Sequence, residues 1–311
     1  MSSRALSVDP LWPRAGDWPS PDSVEPGEPI DLTLLGIPTW RTSLSPSGAG
    51  STPAAVRAAL RYYAEFVPPD RSAQKRFVRS LSELVLTDAG DVTEPDGPEG
   101  EGRAIAAMAD AVARASLVVA VGGDNALTLP AALGAWGDEL PTAGLITLDA
   151  HHDLRDGVSN GSPVRRLIEA GLAGRRIVQI GIADFANSAE YAKRAAGYGI
   201  TVVHRDELHR RPIDDVIEEA LEISGSAGGP IHVDLDVDVC DRSVAPGCPA
   251  SLPGGLAAWE LRRAARLAAA HPAVRSLDLA EVDATADAAD GRTVRLTALC
   301  VLEAAAGVAL R

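Results

Sequence analysis

Cysteine is scarce and irregularly placed: Cys240, Cys248 and Cys300 are the only three in 311 residues. So few, at such spacing, exclude a disulfide framework and a zinc ribbon. No stretch of about 18 uninterrupted apolar residues occurs, so no membrane-spanning helix is expected. Residues 1–18 lack a basic segment followed by an apolar run, and no signal peptide is expected. A basic excess is missing as well, since 29 Lys and Arg face 43 Asp and Glu, a formal net charge of −14. That balance argues against nucleic acid or an anionic membrane as partner. Most of it reads as solvated acidic surface, and part as charge that bound cations would cancel. A reducing cytoplasm is the expected location.

What is present is ordinary globular composition, 46% hydrophobic and 23% charged, enough for two domains or one large α/β domain. The first 28 residues, rich in Pro, Ser, Asp and Glu, read as an irregular arm before a domain over 29–311. Short apolar runs then alternate with helical patterns. Strands are expected at Asp31–Gly36, Glu83–Thr87, Leu117–Val121, Ala143–Leu148, Arg176–Ile180, Ile200–His204, Pro230–Asp236 and Val274–Ala280. Helices are expected near 54–64, 103–115, 126–136, 162–172, 188–197, 212–223, 258–270 and 294–309. Runs such as Leu-Val-Val-Ala-Val, without polar alternation, suit strands buried on both faces. Eight alternations without a Pro/Gly-rich linker favour one doubly wound, eight-stranded, mostly parallel sheet. Asp88 to Gly102, acidic and Gly-rich, reads as the longest interior loop.

Two acidic clusters follow expected strands, where open parallel sheets build their sites. In Asp149-Ala150-His151-His152-Asp153, residues two apart share a face, so Asp149 and His151 point one way and the turn can return Asp153. Capping of the next helix is the bland alternative, but it does not explain three ligand-type side chains at alternate positions. In His232-Val-Asp-Leu-Asp-Val-Asp-Val-Cys-Asp241, Asp234, Asp236 and Asp238 share a face. Three buried carboxylates repel, and either a cation or solvent must relieve them. His232 and Asp234 read as supporting groups rather than ligands. Carboxylates and imidazole without thiolate suit hard or borderline cations such as Mn²⁺, and two ions activating a water are the leading expectation.

Two weaker signals accompany these. Val119–Leu127 places Gly122-Gly123-Asp124-Asn125 between a strand and a helix, which resembles an anion-binding turn but lacks the spacing of a nucleotide motif. Ser276-Leu-Asp-Leu-Ala-Glu-Val-Asp283 ends a strand in carboxylates, with Glu281 either facing the site or solvated. His152 should point opposite to His151 and pack, and Cys240 reads as a buried structural thiol.

Together these segments resemble the ureohydrolase family, which comprises arginase, agmatinase and formimidoylglutamase. The matching residues are Gly122-Gly123-Asp124-Asn125, Asp149-Ala150-His151-His152-Asp153, Asp236-Val237-Asp238-Val239-Cys240-Asp241 with Ala245-Pro246-Gly247, and Glu281. The resemblance runs from about Leu34 to the end of the chain and implies a three-layer, arginase-like α/β domain. It also implies two Mn²⁺ ions: Asp149 and Asp236 bridging, Asp153 completing one site, His151 with Asp238 the other. A metal-activated water would attack an amidine or guanidine carbon, Asp238 would steer the proton to the leaving amine, and Glu281 would accept the substrate's C–N nitrogens. Asn125 stands where the family has a histidine ligand, so the site it shares with Asp153 is expected to bind metal more weakly.

Ser159-Asn160-Gly161-Ser162-Pro163-Val164-Arg165-Arg166 resembles the Ser-Gly-Thr-Pro-Phe-Arg stretch of formimidoylglutamases. By that resemblance Arg165 would hold an α-carboxylate, and bidentate pairing suits a glutamate derivative. Asn187, within Gly181–Ser188, would either touch the amino-acid end or shape its own turn. The implied activity is Mn²⁺-dependent hydrolysis of N-formimino-L-glutamate to L-glutamate and formamide, in histidine breakdown. A guanidino hydrolase (agmatinase, arginase or N-hydroxyarginine hydrolase) and a metal-poor non-catalytic member are the alternatives; two carboxylate clusters speak against a single-zinc amidohydrolase. A trimer or hexamer is expected by family analogy alone.

Overall fold

A computed structural model describes residues 6–67 and 81–311. Eight strands form one sheet: β1 (Ile30–Ile37), β2 (Leu86–Asp91), β3 (Ala115–Gly122), β4 (Gly144–Leu148), β5 (Ile177–Ile182), β6 (Thr201–His204), β7 (Ile231–Asp236) and β8 (Val274–Ala280). Their order is β2-β1-β3-β8-β7-β4-β5-β6, and every pairing is parallel. The central strands are buried along almost their whole length, β4 and β7 completely, which is why they read as apolar runs.

Helices cover both faces, as parallel crossovers require. On one side lie α1 (Thr52–Leu60), α8 (Arg292–Val308), α7 (Ala258–Ala270) and α6 (Ile213–Ser224), sharing a core with Leu34, Val119, Leu148 and Leu235. On the other lie α2 (Gly97–Arg114), α3 (Thr128–Trp136), α4 (Pro163–Ala170) and α5 (Ala189–Tyr198), over Val118, Ala120, Leu145 and Ile177. Local chemistry sets the ends. Pro163 opens α4, the Ser188 hydroxyl accepts from Tyr191 N–H at the start of α5, and left-handed Gly199 ends it.

One segment departs from expectation. Glu83–Thr87 moves on to Leu86–Asp91, so the start of the expected 88–102 loop is strand and its end, from Gly97, is the first turn of α2. Arg57 holds Asp88 at 2.7 Å and also pairs with Asp91. Those contacts neutralise the carboxylates that made the segment look like loop. Residues 6–29 carry only a short 3₁₀ turn, Pro21–Ser23, and an isolated bridge from Arg14 to Ala64. No helix among the described residues is long and apolar enough to cross a membrane.

Candidate active site

The carboxyl ends of β8, β7, β4 and β5 border one cavity of about 470 Å³. Asp149 follows β4, Asp236 ends β7, Asp238 lies in the next 3₁₀ turn and Glu281 follows β8. Asp149, Asp153, Asp236, Asp238 and Glu281 are all buried. Asp153 and Glu281 adopt left-handed backbone, φ 53° and 58°. Non-glycine residues held there are uncommon and gather at functional sites.

Ligand atoms of Asp149, His151 and Asp238 lie within 4.8 Å of one another. His151 Nδ1 is 2.9 Å from Asp238 Oδ2 and 3.4 Å from Asp149 Oδ1. Burial opposes a charge on His151, but Asp238 and Asp149 outweigh it and push its pKa up to about 12. Burial, then repulsion by Asp238, pushes Asp149 up to about 7. Asp153 and Asp236 are driven well up by burial and by neighbouring carboxylates. Burial also presses on Asp238, yet His151 holds it low. Asp149 Oδ2 is buried with no hydrogen-bond partner. Crowded, desolvated carboxylates with an orphaned oxygen and one imidazole fit a divalent cation of Mn²⁺ type.

Asn125 is brought to Asp153 differently from the expectation. Its Nδ2 donates to Asp153 Oδ2 at 2.6 Å, and its Oδ1 accepts from the Thr128 hydroxyl at 2.6 Å. A carboxylate needs a donor, so the amide nitrogen faces the cluster and the amide oxygen is spent one turn along the chain. Gly122 and Gly123 serve close packing rather than an anion: a Cβ would meet Leu127 Cδ2 at 1.6 Å and Thr39 O at 1.8 Å, respectively.

Arg165 is placed away from the cavity. It sits in the first turn of α4, turned back to Arg155 O (2.6 Å), Gly157 O and Glu169. It braces the loop that carries Arg155, which does line the cavity. Gly161 makes room there, since a Cβ would lie 2.7 Å from Arg155 Cδ. Arg155, two residues after Asp153 in irregular chain, went unnoticed in the sequence. Asn187 borders the cavity, but its amide clasps backbone: Oδ1 accepts from His152 N (3.0 Å) and Nδ2 donates to Ala150 O (2.9 Å) and Ala183 O (3.2 Å).

Glu281 Oε1 accepts from Asn125 N (3.0 Å) and Asn160 Nδ2 (2.5 Å). Burial pushes this carboxyl up to about 7 against those bonds. His152 packs as expected, its Nδ1 on Gln179 Oε1 at 2.7 Å, and burial lowers its pKa. Cys240 is buried and unpaired, its thiol pushed up by burial.

Fold and site define a three-layer α/β protein built around a metal-type carboxylate–imidazole centre at the strand ends. The model of the arginase family matches residues 30–307, and the chain belongs to that family. It is 34% identical over 271 residues to a formimidoylglutamase of Halalkalibacterium halodurans, covering 84% of this chain and 82% of that one. The structure of formimidoylglutamase from Bacillus subtilis superposes with a TM-score of 0.85 at 28% identity, over 99% of this chain and 95% of that chain. A Trypanosoma cruzi formiminoglutamase with Mn²⁺ gives 0.82 at 25% identity, over 93% and 97%.

Proposed function

We propose that this chain hydrolyses N-formimino-L-glutamate to L-glutamate and formamide with bound Mn²⁺. The observation that carries the reading is one cavity with a carboxylate–imidazole floor and, among the described residues, one guanidinium in its wall, Arg155. A cation in the wall suits a substrate whose tail ends in carboxylate, and acidic groups on the floor suit an amidine. The formimidoylglutamase relatives support the same substrate.

Asp149, His151, Asp153, Asp236 and Asp238 would hold the metal, with Asn125 steadying Asp153; two ions remain the proposed number. Bound Mn²⁺ supplies Lewis acidity and an activated water. Glu281 accepts N–H groups of the amidine and fixes its carbon over the floor. Asp238 takes the proton released as water adds and returns it to the glutamate nitrogen as the C–N bond breaks. Arg155 pairs with the tail carboxylate, while Arg165 and Asn187 stiffen the loops behind it. We assign the reaction to histidine breakdown in the cytoplasm, a location supported by three free, buried thiols. We further propose one catalytic domain over 29–311, an arm over 1–28, and a homo-oligomer, for which the fully exposed Phe185 offers contact surface.

The test is release of formamide and glutamate from N-formimino-L-glutamate by Mn²⁺-loaded protein, with agmatine and arginine alongside. Turnover of the formimino compound alone is expected; turnover of a guanidine instead would overturn the substrate. Arg155→Ala should raise KM about 10- to 100-fold, the loss of a charged hydrogen-bonded pair. Arg165→Ala should raise it only a few-fold, and the reverse ranking would return the tail to Arg165.

A further inference from the structure

Asn160 joins three segments of the cavity wall. Its backbone N–H donates to Thr42 O at 3.3 Å, its Oδ1 accepts from Leu44 N at 3.1 Å, and its Nδ2 donates to Glu281 Oε1 at 2.5 Å. A backbone N–H must meet an oxygen, so the contact with Leu44 fixes which end of the amide faces Glu281. Asn125 N–H fills the same Glu281 oxygen at 3.0 Å. No hydrogen bond among the described residues occupies Glu281 Oε2, and Glu281 lines the cavity. A glutamate has three side-chain torsions to lose on ordering, and this one springs from left-handed backbone, φ 58°. Two donors converging on one oxygen fix the plane of its carboxylate.

We propose that Asn160 is the positioning residue of Glu281. By occupying Oε1 it turns Oε2 toward the N–H groups of the amidine, and with the same amide it fastens the Leu44 stretch over the cavity. This rests on the reading of Glu281 as the acceptor of the substrate's nitrogens.

Asn160→Asp separates the two tasks. It still accepts from Leu44 N–H but cannot donate to Glu281, and at pH 8 it sets a carboxylate against a carboxylate. We expect kcat for N-formimino-L-glutamate to fall about 30-fold, with Kd for L-glutamate, which lacks the amidine, within about twofold of wild type. Asn160→Ala should lose about tenfold in kcat. In a Glu281→Gln background, Asn160→Asp should cost almost nothing more, because the two act as one unit. Mn²⁺ content and thermal midpoint report folding, and 4-guanidinobutyrate binding by calorimetry follows the head-group contact in any variant that folds. If Asn160→Asp matches wild type while Asn160→Ala weakens L-glutamate binding, the residue only pins the loop and the proposal falls. Additive losses in the Glu281→Gln background would also overturn it. If wild type ignores N-formimino-L-glutamate, the substrate reading has failed separately, and the same variants are then scored on binding of 4-guanidinobutyrate, weakened by Asn160→Asp only if Asn160 positions Glu281.

Discussion

Two groups of carboxylates and imidazole sit one pleat apart on the same side of the sheet, and only one opens to a cavity. The sealed group lies within the strands: His232 and Asp234 on β7, Ser276 and Asp278 on β8, all 0% exposed. His232 Nδ1 meets Ser276 Oγ at 2.7 Å and its Nε2 meets Asp278 Oδ2 at 3.0 Å. The parallel register dictates these contacts by pairing His232 with Ser276 and Asp234 with Asp278. The open group lies at or past the strand ends, on backbone that leaves the sheet. Residues inside a parallel sheet reach only the register partner and its diagonal neighbour, as His232 reaches Ser276 and Asp278. Residues past its edge can converge from four strands on one point, and there carboxylates gather closely enough to need a cation.

The largest expected effect breaks the comparison directly. Asp236→Asn should cost several kcal/mol of catalysis, about a thousandfold in kcat, with the fold kept. Asp234→Asn, two residues away on the same face, should leave kcat within about threefold, well under 1 kcal/mol. Burial and Asp278 hold the Asp234 carboxyl well above the usual range, so a neutral amide of the same shape is tolerated. Steady-state kinetics on both variants decides it. Equal losses would mean that the sealed row takes part in the chemistry.

That pair marks how far the sequence could be read. The eight strands, their parallel order of layers and the two clusters were visible because buried strands are uninterrupted apolar runs and site residues follow them. Asp236 and Asp238 were separable from Asp234 only through the resemblance to the ureohydrolase motif that runs into Ala245-Pro246-Gly247, since period-two alternation treats all three alike. Loop-borne groups were the least legible. Arg155 and Arg165 both follow the cluster, but α4 begins at Pro163 and points Arg165 back at carbonyls, while Arg155 lines the cavity. Asn160 met Glu281 across 121 residues of chain, a contact that no local spacing announces.

A smaller effect sharpens the comparison through pH. In metal-free protein Asp149 and Glu281 are pushed up to about 7 from ordinary values of 3.8 and 4.5. A carboxyl with a raised folded pKa binds its proton more tightly folded than unfolded, so stability falls as pH rises from about 4 through 7. His151, raised from 6.5 to about 12, stabilises fully below pH 6.5 and adds loss in the same direction above it. The thermal midpoint of metal-free protein should therefore drop several degrees between about pH 5 and 8. Mn²⁺ should cancel most of that slope, because ligands bind deprotonated. Asp234 lies in the sealed row, so Asp234→Asn should remove a part of the slope that Mn²⁺ does not. Calorimetry with and without a chelator measures both parts, and a metal-free midpoint that rises over this range would contradict the burial argument.

The smallest effect concerns Asn125, the one member of the open group whose polar atoms are all turned inward, as in the sealed row. Its nitrogen is given to Asp153 and its oxygen is taken by Thr128, so it steadies Asp153 without offering an electron pair. Asn125→His would place one ring nitrogen toward Thr128 and leave the other toward Asp153, adding an imidazole where the amide only donated. Mn²⁺ should then bind about tenfold more tightly on the Asp153 side, about 1.4 kcal/mol, with kcat changed by no more than a few-fold. Titration calorimetry with metal analysis reads affinity and stoichiometry together. Thr128→Val serves as the companion: it frees the amide oxygen of Asn125, and a similar gain there would show that Thr128 is what keeps Asn125 from ligating. If neither variant changes Mn²⁺ binding, Asp153 is held well enough by its strained backbone, and Asn125 matters only through its N–H to Glu281.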